Sequence, residues 1–248
     1  MARISPTAKP ELDAARFRAR TAAAALGLAA ILLVIGARFG APSADGSGAR
    51  PIVVITIDSS INPAVAEFVE ESIDAATRQE ARALIIELDT PGGLLSTTRR
   101  MVKDLLGAPL PVIVYVAPSG ASAASAGMFI TVAAGLAAMA PGTTIGAAHP
   151  LEIGGAEEKG VAATKMESYA ASFARSIAEQ RGRNQDWVER AVRQSASIGN
   201  REALSQHVVE IVARDLPDLI AQASGRQVVV DGRKQVLDLK DAPLVTRE

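Results

Sequence analysis

Two segments of small residues carry the side chains of this sequence that could do chemistry. The first reads Asp-Thr-Pro-Gly-Gly at positions 89–93 and directly follows an apolar run. Its glycine pair, Gly92 and Gly93, would let the backbone turn sharply and present N–H groups to a carbonyl or an oxyanion. Pro-Gly-Gly is also a common turn sequence, so an ordinary strand-to-helix turn is the alternative interpretation.

The second segment reads Gly-Ala-Ser-Ala-Ala-Ser-Ala-Gly at positions 120–127 and leads into a predicted helix. A hydroxyl of Ser122 or Ser125 would lie near the unpaired N–H groups and the positive end of that helix, which favour a developing oxyanion. The alternative is a tightly packed Ala/Ser helix start. The segment matches neither the phosphate-binding loop nor the dinucleotide fingerprint, so nucleotide binding is not predicted.

A serine hydroxyl becomes a good nucleophile only when a base takes its proton. Lysine can be that base if its pKa falls well below about 10.4. The neighbours of Lys165 are mostly uncharged, so burial could favour its neutral form, whereas Glu167 would oppose this if it faced the lysine. His149 is the rival base, because Ser–His pairs are the commoner arrangement. An exposed lysine at a helix start is the alternative interpretation of Lys165.

The elements that would position these residues alternate between strands and helices. Apolar, β-branched runs predict strands over 52–57, 83–88, 111–116 and 208–212, and a short strand is predicted over 137–140. Helical spacing predicts helices from Asn62-Pro63 onward and over 95–106, 123–134, 163–180, 186–194, 201–206 and 215–223. Positions 141–146 are expected to be a turn. This alternation predicts an α/β fold with a mostly parallel sheet, crossover helices and a C-terminal β-hairpin.

The 248 residues are enough for one α/β domain, predicted over 51–224, followed by a hairpin and tail over 225–248. Residues 1–50 differ, because a basic leader precedes an uncharged apolar stretch over 21–37 and small residues around Ala44. This pattern predicts an export signal, either cleaved or kept as a membrane anchor, with the domain on the extracytoplasmic side. A net charge of −1 and the absence of a basic stripe argue against nucleic-acid binding.

Three longer segments, over 88–93, 114–127 and 139–147, together resemble the NfeD family of membrane-bound serine peptidases. These have a ClpP/crotonase-like fold and are related to the signal peptide peptidase SppA. The resemblance covers the chain from about Ile52 to Leu219. It is more specific than either glycine segment alone, because the three segments occur in the right order and spacing.

The resemblance implies a catalytic dyad. The family's nucleophile falls on Ser125, with Ser122 as the runner-up three residues earlier. Its base is a lysine before a long helix that ends in Gly-Arg-Asn, which falls on Lys165, ahead of Lys159. The oxyanion donors would be backbone N–H groups of Gly93, Gly92 and Ala126. No cofactor and no metal are implied, and the sequence shows no His/Asp/Glu cluster with metal-ligand spacing.

The implied function is cleavage of hydrophobic peptide segments, including those of a stomatin-like membrane partner, by a membrane-associated homodimer or higher homo-oligomer. Two alternatives remain open from the sequence. One is a non-catalytic scaffold that binds a stomatin-like protein. The other is an acyl-CoA enzyme on a crotonase-like fold, which the export signal disfavours because acyl-CoA pools are cytosolic.

Overall fold

Strands and helices alternate along residues 50–150 and 160–248, the parts of the chain that the computed structural model describes. The predicted leader, apart from Arg50, and the rival base Lys159 lie outside the described residues. The strands are β1 (Ile52–Asp58), β2 (Ala83–Asp89), β3 (Val112–Val116), β4 (Ser122–Ala124), β5 (Leu136–Met139), β6 (Thr144–Gly146), β7 (Ser197–Gly199), β8 (Ile211–Val212), β9 (Gln227–Val230), β10 (Arg233–Val236) and β11 (Leu244–Thr246). The helices are α1 (Pro63–Arg78), α2 (Leu95–Leu106), α3 (Ala126–Ala133), α4 (Val161–Arg181), α5 (Gln185–Arg193), α6 (Asn200–Ser205) and α7 (Leu216–Ala223).

The main sheet has six strands in the order β11-β1-β2-β3-β5-β8, and every neighbouring pair is parallel. The register of β1 on β2 runs from Ile52 opposite Ala83 to Asp58 opposite Asp89. The carboxyl ends of these strands therefore finish at the same edge of the sheet, where open α/β sheets bind ligands. The predicted α/β fold with a mostly parallel sheet is confirmed.

Both faces of the main sheet are buried, which explains the uninterrupted apolar runs in the sequence. Along β1, Val53 and Ile55 face a core that α1 to α5 complete. The alternate residues Ile52 and Val54 face a second core formed with α7 and the C-terminal hairpin. Aliphatic residues and alanines make up most of both cores, so the helices pack closely on the sheet.

A smaller three-stranded sheet, β4-β6-β7, differs from the prediction. The helix predicted over 123–134 begins only at Ala126, and the turn predicted over 141–146 contains β6. Backbone hydrogen bonds explain the difference, because Thr90 N–H donates to Ser122 O (2.8 Å) and Ala124 N–H donates to Thr90 O (3.1 Å). These bonds attach the Ala/Ser segment to the end of β2 as a strand, and local helix propensity is overridden.

The C-terminal residues form the predicted hairpin, with β9 and β10 antiparallel around Asp231 and Gly232. The sequence did not predict β11, which pairs in parallel with β1 and becomes the edge strand of the main sheet. Arg247 holds this edge in place through its guanidinium, which lies 2.9 Å from the Glu71 carboxylate.

The helix ends follow the chemistry that the sequence suggests. The Asn62 side chain accepts hydrogen bonds from the Ala64 and Val65 N–H groups and begins α1. Gly182 ends α4 in the left-handed conformation, with φ 68°. None of the helices within 50–150 and 160–248 has the length and apolarity needed to cross a membrane.

Candidate active site

Ser125 lies at the sharp connection between β4 and α3. Its φ of 49° and ψ of −109° are rare for a residue with a side chain, and such strain is concentrated at functional sites. The turn is held on both sides, because Ser125 N–H donates to Gly146 O (3.1 Å) and Ser125 O accepts from Met128 N–H (3.1 Å). The Ser125 hydroxyl does not cap α3, although the residue occupies the N-cap position. It is therefore available for other chemistry.

The predicted glycine turn lies directly against Ser125. Gly92 has φ 121°, and a Cβ on it would lie 2.7 Å from Ser125 Cβ and 3.2 Å from its Oγ. Ile61 holds the other side of the turn, since Ile61 N–H donates to Gly92 O (2.8 Å) and Leu94 N–H donates to Ile61 O (3.0 Å). A Cβ on Gly93 would lie only 2.0 Å from Ile61 O, so both positions require glycine.

Two backbone N–H groups next to Gly92 and Ser125 in the chain are the predicted oxyanion donors. Gly92 C=O points to Ile61, and in a planar trans peptide the N–H of Gly93 points the opposite way. Ala126 is the first residue of α3, where helical N–H groups have no partner inside the helix. Neither the Gly93 nor the Ala126 N–H donates to another backbone group in the described parts of the chain. Ala126 follows Ser125 in the chain and Gly93 follows Gly92, which lies against Ser125, and their role as oxyanion donors stays a prediction.

Lys165 lies in the second turn of α4, and its side chain is exposed. Helix α4 packs along α3, with the rings of Phe129 and Phe173 stacked at 5.7 Å. Further along, Arg181 Nε donates to Ala133 O (2.8 Å), so the two helices run in the same direction. The amino-terminal turns of α4 therefore lie toward the Ser125 end of α3.

Residues four apart share one face of a helix, so Lys165, Tyr169 and Phe173 form a single stripe. Tyr169 of this stripe also contacts the Arg99 guanidinium of α2, which lies 5.2 Å from its ring centroid, so the stripe faces α2 as well as α3. The pairing of Lys165 with Ser125 stays a prediction. Burial of Lys165, which the sequence suggested, does not occur within the described chain.

The orientation of Glu167 settles one question that the sequence left open. Its carboxylate lies 3.0 Å from Arg193 Nη1 on α5. The same guanidinium also binds Glu189, through its Nε at 2.9 Å. Glu167 is thus directed toward α5 and paired there, and it does not act as a counter-ion for Lys165.

The rival residues have other contacts. The Nδ1 of His149 lies 3.0 Å from Val192 O and must donate, because a carbonyl only accepts. That bond ties His149 to the end of α5 and leaves Nε2 as its open nitrogen. Ser122 lies within β4, where its hydroxyl accepts from Thr144 Oγ1 at 3.3 Å. Of the two candidate serines, Ser125 has its side chain against Gly92, whereas Ser122 contacts Asp89 and Thr90 through its backbone.

Sequence reasoning missed a pair of arginines that hold the far end of α3. Arg183 is buried and forms a two-pronged pair with Glu210, at 2.9 and 2.7 Å, while its Nη1 donates to Val132 O and Ala134 O. Arg181 donates to three backbone carbonyls, and burial lowers its pKa to about 10. The Gly-Arg-Asn ending of α4 was the available signal, but the sequence does not show which carbonyls the guanidinium groups bind.

The chain is similar in sequence to a known protein family and to a membrane-bound protease. A model of the NfeD1b N-terminal domain matches residues 51–238. The membrane-bound protease PH1510 of Pyrococcus horikoshii is 36% identical over 191 residues, which cover 75% of this chain. The chain spans less than half of that curated relative, 43% of its length.

Solved structures agree with the sequence comparison. A serine-to-alanine variant of the 1510-N membrane-bound stomatin-specific protease is 35% identical, with a TM-score of 0.76 over 81% of this chain and 99% of the other. A lysine-to-alanine variant of the same protease, in complex with a substrate peptide, is 34% identical, with a TM-score of 0.75 over 80% of this chain and 93% of the other. These proteases therefore share the fold described above.

Proposed function

The chain belongs to the NfeD1b N-terminal-domain family, and from this premise we propose that it is a serine endopeptidase with a Ser125–Lys165 dyad. The single observation that carries the proposal is Ser125 itself. Its hydroxyl lies on a strained turn, without a capping role, against a glycine turn that would clash with any larger residue. The serine-to-alanine and lysine-to-alanine variants made of the related protease fit the same pair of residue types.

In the proposed reaction, the neutral amine of Lys165 takes the proton of the Ser125 hydroxyl as its Oγ attacks the scissile carbonyl carbon. The carbonyl oxygen becomes an oxyanion and is held by the N–H groups of Gly93 and Ala126. The intermediate collapses with breakage of the C–N bond, and the lysine ammonium gives its proton to the leaving amine. A water molecule then hydrolyses the acyl-enzyme by the same steps, with lysine again as the base.

The proposed substrate is an extended, hydrophobic peptide that lies along the glycine turn by strand addition. Large apolar side chains are exposed around the proposed dyad and support this choice: Leu94 at the start of α2, and Val161, Met166 and Tyr169 on α4. The related solved protease is described as stomatin-specific, so a stomatin-like membrane protein is the proposed partner.

We further propose membrane association and self-association, at least as a dimer. The relative PH1510 is described as membrane-bound, and the predicted leader or anchor of this chain would supply the attachment. The exposed apolar residues near Lys165 offer a surface that a second copy or a substrate could cover. The extracytoplasmic position of the domain rests on the charge pattern of the leader.

The test compares cleavage of hydrophobic peptides by the full chain and by three single variants. Ser125→Ala and Lys165→Ala should each lower kcat by about 10³-fold or more, as expected for members of one catalytic unit. Ser122→Ala is the matched control, because it removes a neighbouring hydroxyl that bonds to Thr144 and should leave kcat within a few-fold. A fluorophosphonate should label the wild type and leave Ser125→Ala unlabelled.

Two results would overturn the dyad. Equal cleavage by the wild type, Ser125→Ala and Lys165→Ala would show that these residues do not catalyse the reaction and would favour a scaffold. Loss of cleavage with His149→Ala, but not with Lys165→Ala, would instead assign the base to histidine.

A further inference from the structure

Thr90 is buried between the two halves of the proposed oxyanion site, and its hydroxyl and methyl groups contact different halves. The hydroxyl forms two hydrogen bonds with the backbone of Gly92, one as acceptor and one as donor. Gly92 N–H donates to Thr90 Oγ1 (3.2 Å), and Thr90 Oγ1 donates to Gly92 O (3.3 Å). The glycine-turn backbone is thereby fixed by a side chain as well as by Ile61.

The bond to Gly92 O is the important one, because that oxygen belongs to the same peptide unit as the Gly93 N–H. In a planar trans peptide, the C=O and N–H groups point in opposite directions. Thr90 and Ile61 both donate to the C=O, so the N–H is kept pointing to the opposite side, toward the proposed oxyanion site. Hydrogen bonds to a peptide C=O also polarise the unit and strengthen its N–H as a donor.

The methyl group of Thr90 contacts the other half. A Cβ on Gly127, the second residue of α3, would lie 2.7 Å from Thr90 Cγ2, so the methyl packs directly on that backbone. The Thr90 backbone is also bonded to Ser122 and Ala124, within the strand that leads to Ser125. One residue therefore fixes the Gly93 N–H and the first turn of α3, which carries the Ala126 N–H, relative to each other.

From these contacts we infer that Thr90 is a positioning residue for the oxyanion site, acting through the peptide unit that joins Gly92 to Gly93. The inference rests on the proposed peptidase function, because an oxyanion forms only in that reaction. The hydroxyl sets the direction of the Gly93 donor, and the methyl adds packing against the start of α3.

Two substitutions of Thr90 test the role of its hydroxyl in the full chain. Thr90→Val keeps the methyl group and removes the hydroxyl, and it should lower kcat for peptide cleavage about tenfold or more, with KM within about threefold. Thr90→Ser keeps the hydroxyl and should restore kcat to within about threefold of the wild type. The affinity of a peptide boronic acid, whose adduct places an oxyanion in the site, should fall with Thr90→Val in parallel with kcat.

The matched control is Thr131→Val. Thr131 is also fully buried, and its hydroxyl donates to a backbone carbonyl, Gly127 O at 2.8 Å, without contacting the glycine turn. Its loss should leave kcat within about twofold. Should Thr90→Val fail to fold, Thr90→Ser and Thr90→Ala make the same comparison, because they differ only in the hydroxyl.

A readout independent of turnover is hydrogen exchange at the buried Gly92 amide, followed by NMR. Thr90→Val should speed this exchange at least about tenfold relative to Thr90→Ser, because the Gly92 N–H loses its acceptor, Thr90 Oγ1. Wild-type kcat in Thr90→Val, or an equal loss in Thr131→Val, overturns the inference. Unchanged Gly92 exchange overturns it as well. If the wild type and Ser125→Ala behave alike toward peptides, the proposed function fails, and the exchange measurement still decides whether the Thr90 hydroxyl holds the glycine turn.

Discussion

Replacement of Gly92 by alanine tests whether the glycine turn and the serine form one site. The added Cβ would lie 2.7 Å from Ser125 Cβ, whereas carbon atoms pack best at about 3.5–4.0 Å, so one of the two segments must move by about 1 Å. Overpacking of this kind costs about 1–3 kcal/mol. The positive φ of 121° adds strain of about 1–3 kcal/mol for a residue with a side chain.

Gly225→Ala is the matched control for the backbone strain. Gly225 lies between α7 and β9 with φ 84°, and no atom lies within 4 Å of where its Cβ would be. It should lose only the strain contribution of about 1–3 kcal/mol and keep wild-type kcat. Gly92→Ala should lose about 1–3 kcal/mol more than this control, together with about 10²-fold in kcat, because a 1 Å displacement of a reacting group has that effect.

The assay combines urea unfolding of the two variants with steady-state cleavage of a hydrophobic peptide at a temperature where both are folded. Cleavage by Gly92→Ala at the wild-type rate would refute this prediction, since Ser125 would then tolerate a displacement of this size. Equal losses of stability and activity in the two alanine variants would refute it as well, because the contact with Ser125 would then contribute nothing.

Two further predictions concern stability. Glu210→Ala leaves the buried Arg183 guanidinium without its carboxylate and should lower the free energy of urea unfolding by about 3 kcal/mol, the low end of the usual range because the Glu210 side chain is 32% exposed. No loss of stability in Glu210→Ala would contradict the role of the pair. Burial, followed by the Glu70 charge, raises the pKa of Asp104 above its ordinary value of 3.8, so the stability that its protonated form provides is present at pH values below 3.8 and is lost as the pH rises through the folded-state pKa. Asp104→Asn should therefore unfold at a higher urea concentration than the wild type at pH 7, with a gain of at most about 1 kcal/mol in the free energy of unfolding. This gain should shrink as the pH is lowered toward 3.8. A gain that does not depend on pH would refute this cause.

The central sheet could be predicted from the sequence because its signals are local. The run from Ile52 to Ile57 is apolar and β-branched, and Asn62 followed by Pro63 provides both the cap and the first turn of α1. Such patterns require no knowledge of distant residues. The family resemblance implied Ser125 as the nucleophile and Gly92 as part of the site, and the fold brings the two residues into contact.

The parts that were not predicted depend on contacts between distant residues. Residues 122–124 have small side chains without helical or strand periodicity, and their backbone bonds to Thr90 decide the matter in favour of a strand. Strand β11 is only three residues long, and β1, near the other end of the domain, is its partner. The role of Thr90 was missed for a related reason, since its hydroxyl becomes informative only when Gly92 O is known to point toward it.

The site is therefore divided into a preformed half and an exposed half. Ser125 and the proposed donors at Gly93 and Ala126 lie in segments that are held by backbone bonds to Gly146 and Ile61 and by the Thr90 hydroxyl. The lysine of the proposed dyad is exposed in the second turn of α4, beside exposed apolar side chains. A lysine amine accepts a proton only in its neutral form, which removal of water favours. A hydrophobic peptide or a second copy that covers this face would supply that removal, so binding and activation of the base would be the same event. On this reasoning, an extended apolar substrate should be cleaved faster than a small ester of the same leaving-group reactivity, because only the extended substrate covers the lysine.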